Sequence, residues 1–205
     1  MQASYCGLVL SGGRGSRMGG IDKGLLLWHG IPMAEHVCRL LRPFTCEVLV
    51  SCNRNQEQYG TFATRLLSDP LNDYPGPLAG ILAGLRAMNS SHLLVLPCDL
   101  PAISHALMND LKALSQQHPD RPVVVRQGVG LQPLVCVLPH SIKEAVESAW
   151  EAGERSPGRV WQQLQAVELH CAEDDPQLIN INCPALLAEA LEPCTLNTRR
   201  TYASN

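Results

Sequence analysis

The sequence predicts an α/β fold: a single three-layer α/β/α domain on a mostly parallel sheet, with a small antiparallel excursion at about 122–138. Three observations carry this. Short β-rich runs alternate with amphipathic segments, the pattern of βα units around a parallel sheet. The run HLLVLP, residues 92–97, is apolar on both faces, as a central parallel strand has to be. The first apolar run, YCGLVL at 5–10, stops at a cluster of glycines, as a strand does where it feeds a phosphate-binding turn.

The elements follow in order. The first strand is Tyr5 to Leu10, and a helix is predicted from about Pro32 to Leu41. Pro32 suits an early helical position, where its missing N–H costs no intrahelical bond. CEVLVSC (46–52) is the second strand, NRNQEQYGTFATR (53–65) the helical return, and RLLSD (65–69) a short third strand ending in Asp69. The proline- and glycine-rich PLNDYPGPLAG (70–80) is a loop that runs into the helix LAGILAGLRAM (78–88). HLLVLP is the fourth strand, followed by CDLP (98–101) and a helix at about Ser104 to Gln117. PVVVRQ (122–127) and LQPLVCVL (131–138), separated by GVG, read as an antiparallel hairpin. SIKEAVESAWEAG (141–153) and PGRVWQQLQ (157–165) are helical, with Trp150 and Trp161 read as packing residues. Val167 to His170 is a strand, LINI (178–181) a last strand, and a closing helix starts at Pro184. The tail PCTLNTRRTYASN (193–205) is polar and aperiodic, and is expected to be loosely held. With no repeats and no low-complexity linker, residues 1–192 are expected to form one domain of Rossmann-like layout.

Composition narrows the function. The chain has 205 residues, 45% hydrophobic and 17% charged, enough to bury a full core without staples. A net charge of −3 argues against a general nucleic-acid binder, which carries a basic face. No apolar run approaches the roughly 18 residues of a membrane span, and MQASYCGLVLSGG lacks the basic start and long apolar core of a signal peptide. The nine cysteines include no C-x-x-C pair and sit mostly inside apolar runs, where cysteine packs as a small hydrophobe. Free thiols and a cytoplasmic setting are expected.

The chemistry is expected at the glycine loop. LVLSGGRGSRMGGIDKG (8–24) holds six glycines, two arginines and a lysine. Glycines after a strand let backbone N–H groups approach an anion closely. The Walker A pattern fails, because Lys23 follows Asp22 and precedes Gly24; the G-x-G-x-x-G pattern fails at Met18. Taken whole, Gly12, Gly13 and Gly15 shape the loop, while Arg14, Arg17 and Lys23 supply the positive charge a triphosphate needs. Asp99 follows the central strand, at the end where open α/β sheets bind ligands, and is the candidate Mg2+ ligand. Asp69, ahead of Pro70, reads either as a turn residue or as a nucleotide contact. Asn180 and Asn182 alternate along the predicted last strand, either as solvated amides or as ligand contacts.

At this point the residues reach a known family. LSGGRGSRMGGIDKGLL resembles the signature loop of nucleotidyltransferases that activate sugars or cofactors, usually L-A-G-G-x-x-x-R-M-G followed by a lysine. Its GG-x-DKGL ending is most similar to that of the molybdenum cofactor guanylyltransferases. DYPGPLAG, PCDLP and NINCP match that family in order and approximate spacing, so the resemblance runs from about Cys6 to Ala190. It implies transfer of GMP from GTP to the phosphate of molybdenum-molybdopterin, with Mg2+ as cofactor and pyrophosphate as the second product. It implies a nucleotide site of Leu10, Ser11, Gly12, Gly13, Lys23, Ser51, Asp69 and Asp99. Arg17 and Lys23 would then hold the triphosphate, and Asn180 and Asn182 would meet the second substrate or the metal's shell. Molybdoenzymes that receive the cofactor, or their chaperones, are the implied protein partners.

Three positions depart from the family pattern. Ser11 replaces a usual alanine, Ser51 stands where asparagine is frequent, and a Ser-Pro-Gly interruption at 156–158 leaves Arg155 and Arg159 without a carried-over role. The alternatives to guanylyl transfer are a sibling enzyme using CTP or acting on a sugar phosphate, and a non-catalytic nucleotide-binding carrier of the cofactor.

Overall fold

The computed structural model describes residues 3–11, 22–68 and 76–181 of the protein. Its strands are β1 (Tyr5–Leu10), β2 (Leu27–Trp28), β3 (Ile31–Pro32), β4 (Val48–Ser51), β5 (Arg65–Leu67), β6 (His92–Pro97), β7 (Val123–Gln127), β8 (Gly130–Pro139) and β9 (Val167–Cys171). Its helices are α1 (Met33–Leu41), α2 (Gln56–Gly60), α3 (Pro77–Ala87), α4 (His105–Gln117), α5 (Lys143–Glu151) and α6 (Pro157–Gln163).

Seven strands form one sheet in the order β5-β4-β1-β6-β8-β7-β9, and β2 pairs with β3 in a small antiparallel ribbon. Within the large sheet β8 alone opposes its neighbours, antiparallel to both β6 and β7. The predicted parallel sheet with an antiparallel excursion is therefore what forms.

Alternation along the strands builds two cores. Tyr5 and Val9 of β1, with Leu94 and Leu96 of β6, face Val37 and Leu41 of α1 and Leu107 and Leu111 of α4. Cys6, Leu8 and Leu10 face the other way, with Leu93 and Val95, onto Ile81 and Leu85 of α3, Val146 of α5 and Trp161 of α6. Successive strand residues point to opposite faces, so a run buried on both sides is apolar almost throughout. The helices α1 and α3 lie on opposite faces, and the chain reverses direction of winding between β1 and β6. That switch opens a crevice at the strands' carboxyl ends.

Several expectations change in detail. Pro32 belongs to β3 and precedes α1 as its cap residue, because the unforeseen β2–β3 ribbon holds it extended. The helical return contracts to α2, since Asn55 takes a left-handed conformation (φ 54°) that a continuing helix cannot accommodate. The third strand ends at Leu67, so the predicted extension to Asp69 is not formed over Ser68 and Asp69 itself lies outside the described residues.

The LINI strand is not formed. Pro176–Leu178 is a tight 3-10 turn with Asp175 accepting from the Gln177 N–H at 3.1 Å, and residues 179–181 continue without strand pairing. Proline and the Asp175 cap favour the turn, and the Ile181 N–H goes to the Asp99 carbonyl at 2.9 Å instead of a ladder. The closing helix from Pro184 and the tail at 193–205 lie outside the described residues.

In β8, pairing to β7 jumps from Val124↔Cys136 to Val125↔Gln132, leaving Pro133, Leu134 and Val135 bulged. Proline cannot donate to a ladder, which makes it a natural bulge residue. The freed Pro133 carbonyl accepts from the Trp161 indole N–H at 2.8 Å, and Trp161 is wholly buried. Both tryptophans pack as expected, Trp150 beneath the Arg155 guanidinium at 3.7 Å from its ring centroid. Among the described residues no helix is long and apolar enough to cross a membrane.

Trp161→Ala would remove a buried ring and strand the Pro133 carbonyl. A loss of about 3–5 kcal/mol is expected in denaturant unfolding; a loss under about 1 kcal/mol would show that the bulge does not rest on the indole.

Candidate active site

The last ladder rung sets the site. Leu10 pairs with Ser51 on one side and Pro97 on the other, so β4, β1 and β6 end level. Backbone bonds carry the alignment one residue further, Ser11 N–H to the Ser51 carbonyl at 2.9 Å and Cys98 N–H to the Leu10 carbonyl at 3.1 Å. Ser11, Cys52 and Cys98 thus begin a floor on which polar groups first appear.

On the α3 side that floor is tight. A Cβ on Gly80 would stand 2.8 Å from Ser51 Oγ and 2.9 Å from Leu10 Cδ2, so α3 sits directly on both residues. Ser51 is correspondingly buried, 7% exposed, with its hydroxyl turned toward the helix.

On the α1 side lies a hydrogen-bonded chain that the sequence does not announce. The Tyr59 hydroxyl donates to Asp22 Oδ1 at 2.6 Å and lies 2.6 Å from Ser11 Oγ. A carboxylate only accepts, so the tyrosine proton goes to Asp22 and Ser11 donates to Tyr59. Asn55 Nδ2 donates to Asp22 Oδ2 at 2.9 Å, and Arg54 Nε stands 3.6 Å from the same oxygen. Burial pushes the Tyr59 hydroxyl well above its ordinary pKa, and the bond to Asp22 adds to the shift while the bond to Ser11 opposes it. Tyr59 remains a neutral donor.

Asp22 leads into a tight turn over Lys23–Leu25, closed by Leu25 N–H to the Asp22 carbonyl and Leu26 N–H to the Lys23 carbonyl, both 3.1 Å. Gly24 lies on the hydroxyl pair: a Cβ there would be 2.1 Å from Ser11 Oγ and 2.4 Å from Tyr59 Oη. Lys23 is half-buried, and its charge acts on Asp99 across the β1–β6 crevice. Burial raises the Asp99 pKa, with Lys23 pulling it down and the Asp99 backbone N–H assisting. Asp99 is thus a carboxylate short of compensation. Neighbouring Cys98 is lifted to about 12, by burial first and then by Asp99, so its thiol is no nucleophile near neutral pH.

Of the predicted residues, Leu10, Ser11, Lys23, Ser51 and Asp99 converge on this strand end. Gly12, Gly13, Arg17, Asp69 and Asn182 lie outside the described residues. Asn180 is exposed, beside the Ile181–Asp99 backbone bond but on no strand. Arg155 is taken up locally, donating to the Trp150 and Glu154 carbonyls at 2.8 Å each, and Arg159 pairs with Glu154 at 3.6 Å. The Glu154 carboxylate accepts from the Arg155 and Ser156 N–H groups at 2.8 Å, which lowers its pKa. Sequence reasoning missed Tyr59, Asn55 and Arg54. Their one signal, a tyrosine inside the otherwise polar NRNQEQYG, does not separate them from a solvated helix.

Comparison with known proteins bears on this arrangement. Residues 7–167 match the family described as the MobA-like NTP transferase domain. The molybdenum cofactor guanylyltransferase of Pseudomonas fluorescens (strain Pf0-1) is 51% identical over 181 residues, 88% of this chain and 90% of that protein. A Pseudomonas aeruginosa (strain LESB58) protein of the same name is 49% identical over 185 residues, 90% of this chain and 93% of its own. Among solved structures, molybdopterin-guanine dinucleotide biosynthesis protein A from Archaeoglobus fulgidus shares the fold at a TM-score of 0.71 and 21% identity, covering 90% of this chain and 96% of its own.

Two outcomes follow from the geometry. Gly24→Ala forces a methyl group into the Ser11 and Tyr59 hydroxyls and should cost about 1–3 kcal/mol in denaturant unfolding; an unchanged midpoint would mean the turn is not seated on them. Asp99→Asn removes a carboxylate whose ionisation opposes folding. Without ligand it should raise the melting temperature at neutral pH, and the gain should shrink as the pH falls through the raised folded pKa and vanish below the ordinary carboxylate value of 3.8, where the folded and unfolded carboxyls are both protonated. A lower melting temperature at pH 7 would show instead that attraction to Lys23 outweighs burial.

Proposed function

The chain belongs to the MobA-like NTP transferase family, and from that premise we propose that it transfers GMP from GTP to the phosphate of molybdenum-molybdopterin. The observation that carries the reading is the placement of Lys23 within electrostatic reach of the buried Asp99 carboxylate at the β1–β6 switch, at the end of a strand that enters a glycine-rich loop. The names borne by relatives at about half identity over nearly the whole chain supply the substrates.

In the proposed step an oxygen of the molybdopterin phosphate forms a bond to the α-phosphorus of GTP. The bond from that phosphorus to the bridging oxygen of the β-phosphate breaks, and pyrophosphate leaves with the electron pair. The attacking group is already anionic, so no protein side chain has to remove a proton. Catalysis is then positioning and charge stabilisation. Lys23, fixed by its closed turn, holds triphosphate oxygens, and Arg17 of the loop is proposed to share them. Leu10 and Ser11, the glycines 12 and 13, Ser51 and Asp69 are proposed to surround the nucleotide, and Asn180 and Asn182 the second substrate.

The donor set fits a magnesium ion. Asp22 spends both carboxylate oxygens on Tyr59, Asn55 and Arg54, whereas the buried charge of Asp99 is left for a cation. Among the described residues no three His, Cys, Asp or Glu side chains gather into a metal cage, which suits an ion shared with substrate oxygens. Asp99 would hold it, and bound Mg2+ would supply charge neutralisation between two anionic reactants. A cytoplasmic setting and transfer of product to recipient molybdoenzymes or their chaperones belong to the same proposal.

The test is turnover. Purified protein with Mg2+, GTP and molybdenum-molybdopterin should release pyrophosphate and form the guanine dinucleotide, while CTP should not replace GTP. Lys23→Ala and Asp99→Ala should each lower kcat by about 10²–10³ while the protein stays folded. Preference for CTP would reassign the base, nucleotide binding without pyrophosphate release would make the protein a carrier, and near-normal turnover in either variant would remove that residue's role.

A further inference from the structure

We propose that Tyr59 is a positioning residue of this site: its buried hydroxyl, held between Ser11 and Asp22, fixes where Lys23 stands opposite Asp99. The inference rests on the nucleotidyl-transfer reading only in taking Lys23 to bind phosphate.

The ring alone would satisfy the apolar packing. Tyr59 is fully buried among apolar residues and meets the Phe62 ring edge-on at 5.7 Å, contacts a phenylalanine would make as well. Burying an O–H is costly unless it is bonded. Here both its bonds go to the two residues that flank segment 12–21 in the sequence, Ser11 on one side and Asp22 on the other, at 2.6 Å each. One short helix therefore grips both ends of the glycine-rich stretch.

The direction of the chain matters. Tyr59 has a single proton, and Asp22 takes it, so the tyrosine oxygen is left to accept from Ser11. Asp22 is clamped at its second oxygen by Asn55, whose left-handed backbone (φ 54°) begins α2 and aims the amide at the carboxylate. With Asp22 held, the 3.1 Å bonds closing the Lys23–Leu25 turn leave the Lys23 backbone little freedom. Gly24 rests on the hydroxyls themselves, so the turn is located from beneath by the same two groups. Tyr59 touches neither substrate nor metal in this account. It acts through Asp22 on Lys23.

A double-mutant cycle on binding separates this from a purely structural role. The dissociation constant of Mg-GTP is measured by calorimetry for wild type, Tyr59→Phe, Lys23→Ala and the double variant, alongside the melting temperature of each without ligand. Tyr59→Phe should weaken binding about tenfold, the scale of a lost hydrogen bond to a charged group. In the Lys23→Ala background the same change should weaken it by less than about twofold, because the interaction it serves is already gone. Equal factors in the two backgrounds, or an unchanged constant in Tyr59→Phe, overturn the proposal. Asn55→Gly, which keeps a left-handed backbone available and removes the second clamp, should weaken binding in the same Lys23-dependent way; it carries the cycle if Tyr59→Phe does not fold. If wild type binds CTP and not GTP, the guanylyl reading falls while the cycle, run with CTP, still decides for or against Tyr59.

Discussion

The structure is organised by the double burial of β1. It pairs with β4 and β6 along both edges and is covered by helices on both faces, so its side chains are all enclosed. A polar side chain along such a strand needs a buried partner, as the Tyr5 hydroxyl has in Ser115 Oγ at 3.0 Å. The first position free of that constraint is Ser11, one residue beyond the last rung. Polar chemistry is thereby displaced to the sheet's end, and the reversal of winding between β1 and β6 makes that end concave.

Two carboxylates at this end carry opposite roles, and hydrogen-bond supply decides which. Asp22 receives from Tyr59 and Asn55 with Arg54 nearby, so its charge is settled within the protein and serves to locate the chain around it. Asp99 is buried with less support. Its backbone carbonyl holds Ile181, its own N–H assists the carboxylate, and Lys23 offsets only part of the desolvation. Charge left uncompensated by a fold is charge available to a ligand, and it is retained at a cost in stability. Under the proposed function, a cation engages Asp99 and leaves Lys23 to phosphate oxygens.

The layers and most elements were legible because they follow from periodicity. HLLVLP, with apolar residues on both faces, admits a central parallel strand and little else, and Ser104 caps α4 as its position suggests, accepting from the Leu107 N–H at 3.2 Å. Lys23 and Asp99 stand out in the sequence because glycine-rich loops and carboxylates at strand ends have few other uses, and the structure brings both to the same strand end. What failed were local contests between weak preferences. LINI has strand composition, yet a proline two residues upstream and an Asp175 cap win a turn there. NRNQEQYGTFATR has helical composition, yet Asn55 gives up helical geometry to bond Asp22, a partner 33 residues away. The Tyr59 chain was invisible for the same reason: long-range pairing between single polar side chains leaves no period in the sequence.

That pairing also accounts for a residue which otherwise looks like loop punctuation. Gly24 is not among the residues with positive φ, so no backbone conformation demands glycine there. The demand is steric, from Ser11 Oγ at 2.1 Å and Tyr59 Oη at 2.4 Å from where a Cβ would lie. The two neighbours differ in what they can concede. Ser11 could turn its hydroxyl or be an alanine and relieve the nearer contact, but the tyrosine ring is wholly buried and its oxygen is committed to Asp22. Gly24 is thus required by Tyr59 more than by Ser11, and the short DKG sequence is shaped by a side chain 35 positions further along the chain. A glycine beside Lys23 is, in this protein, the imprint of the hydroxyl that holds the lysine's neighbour Asp22.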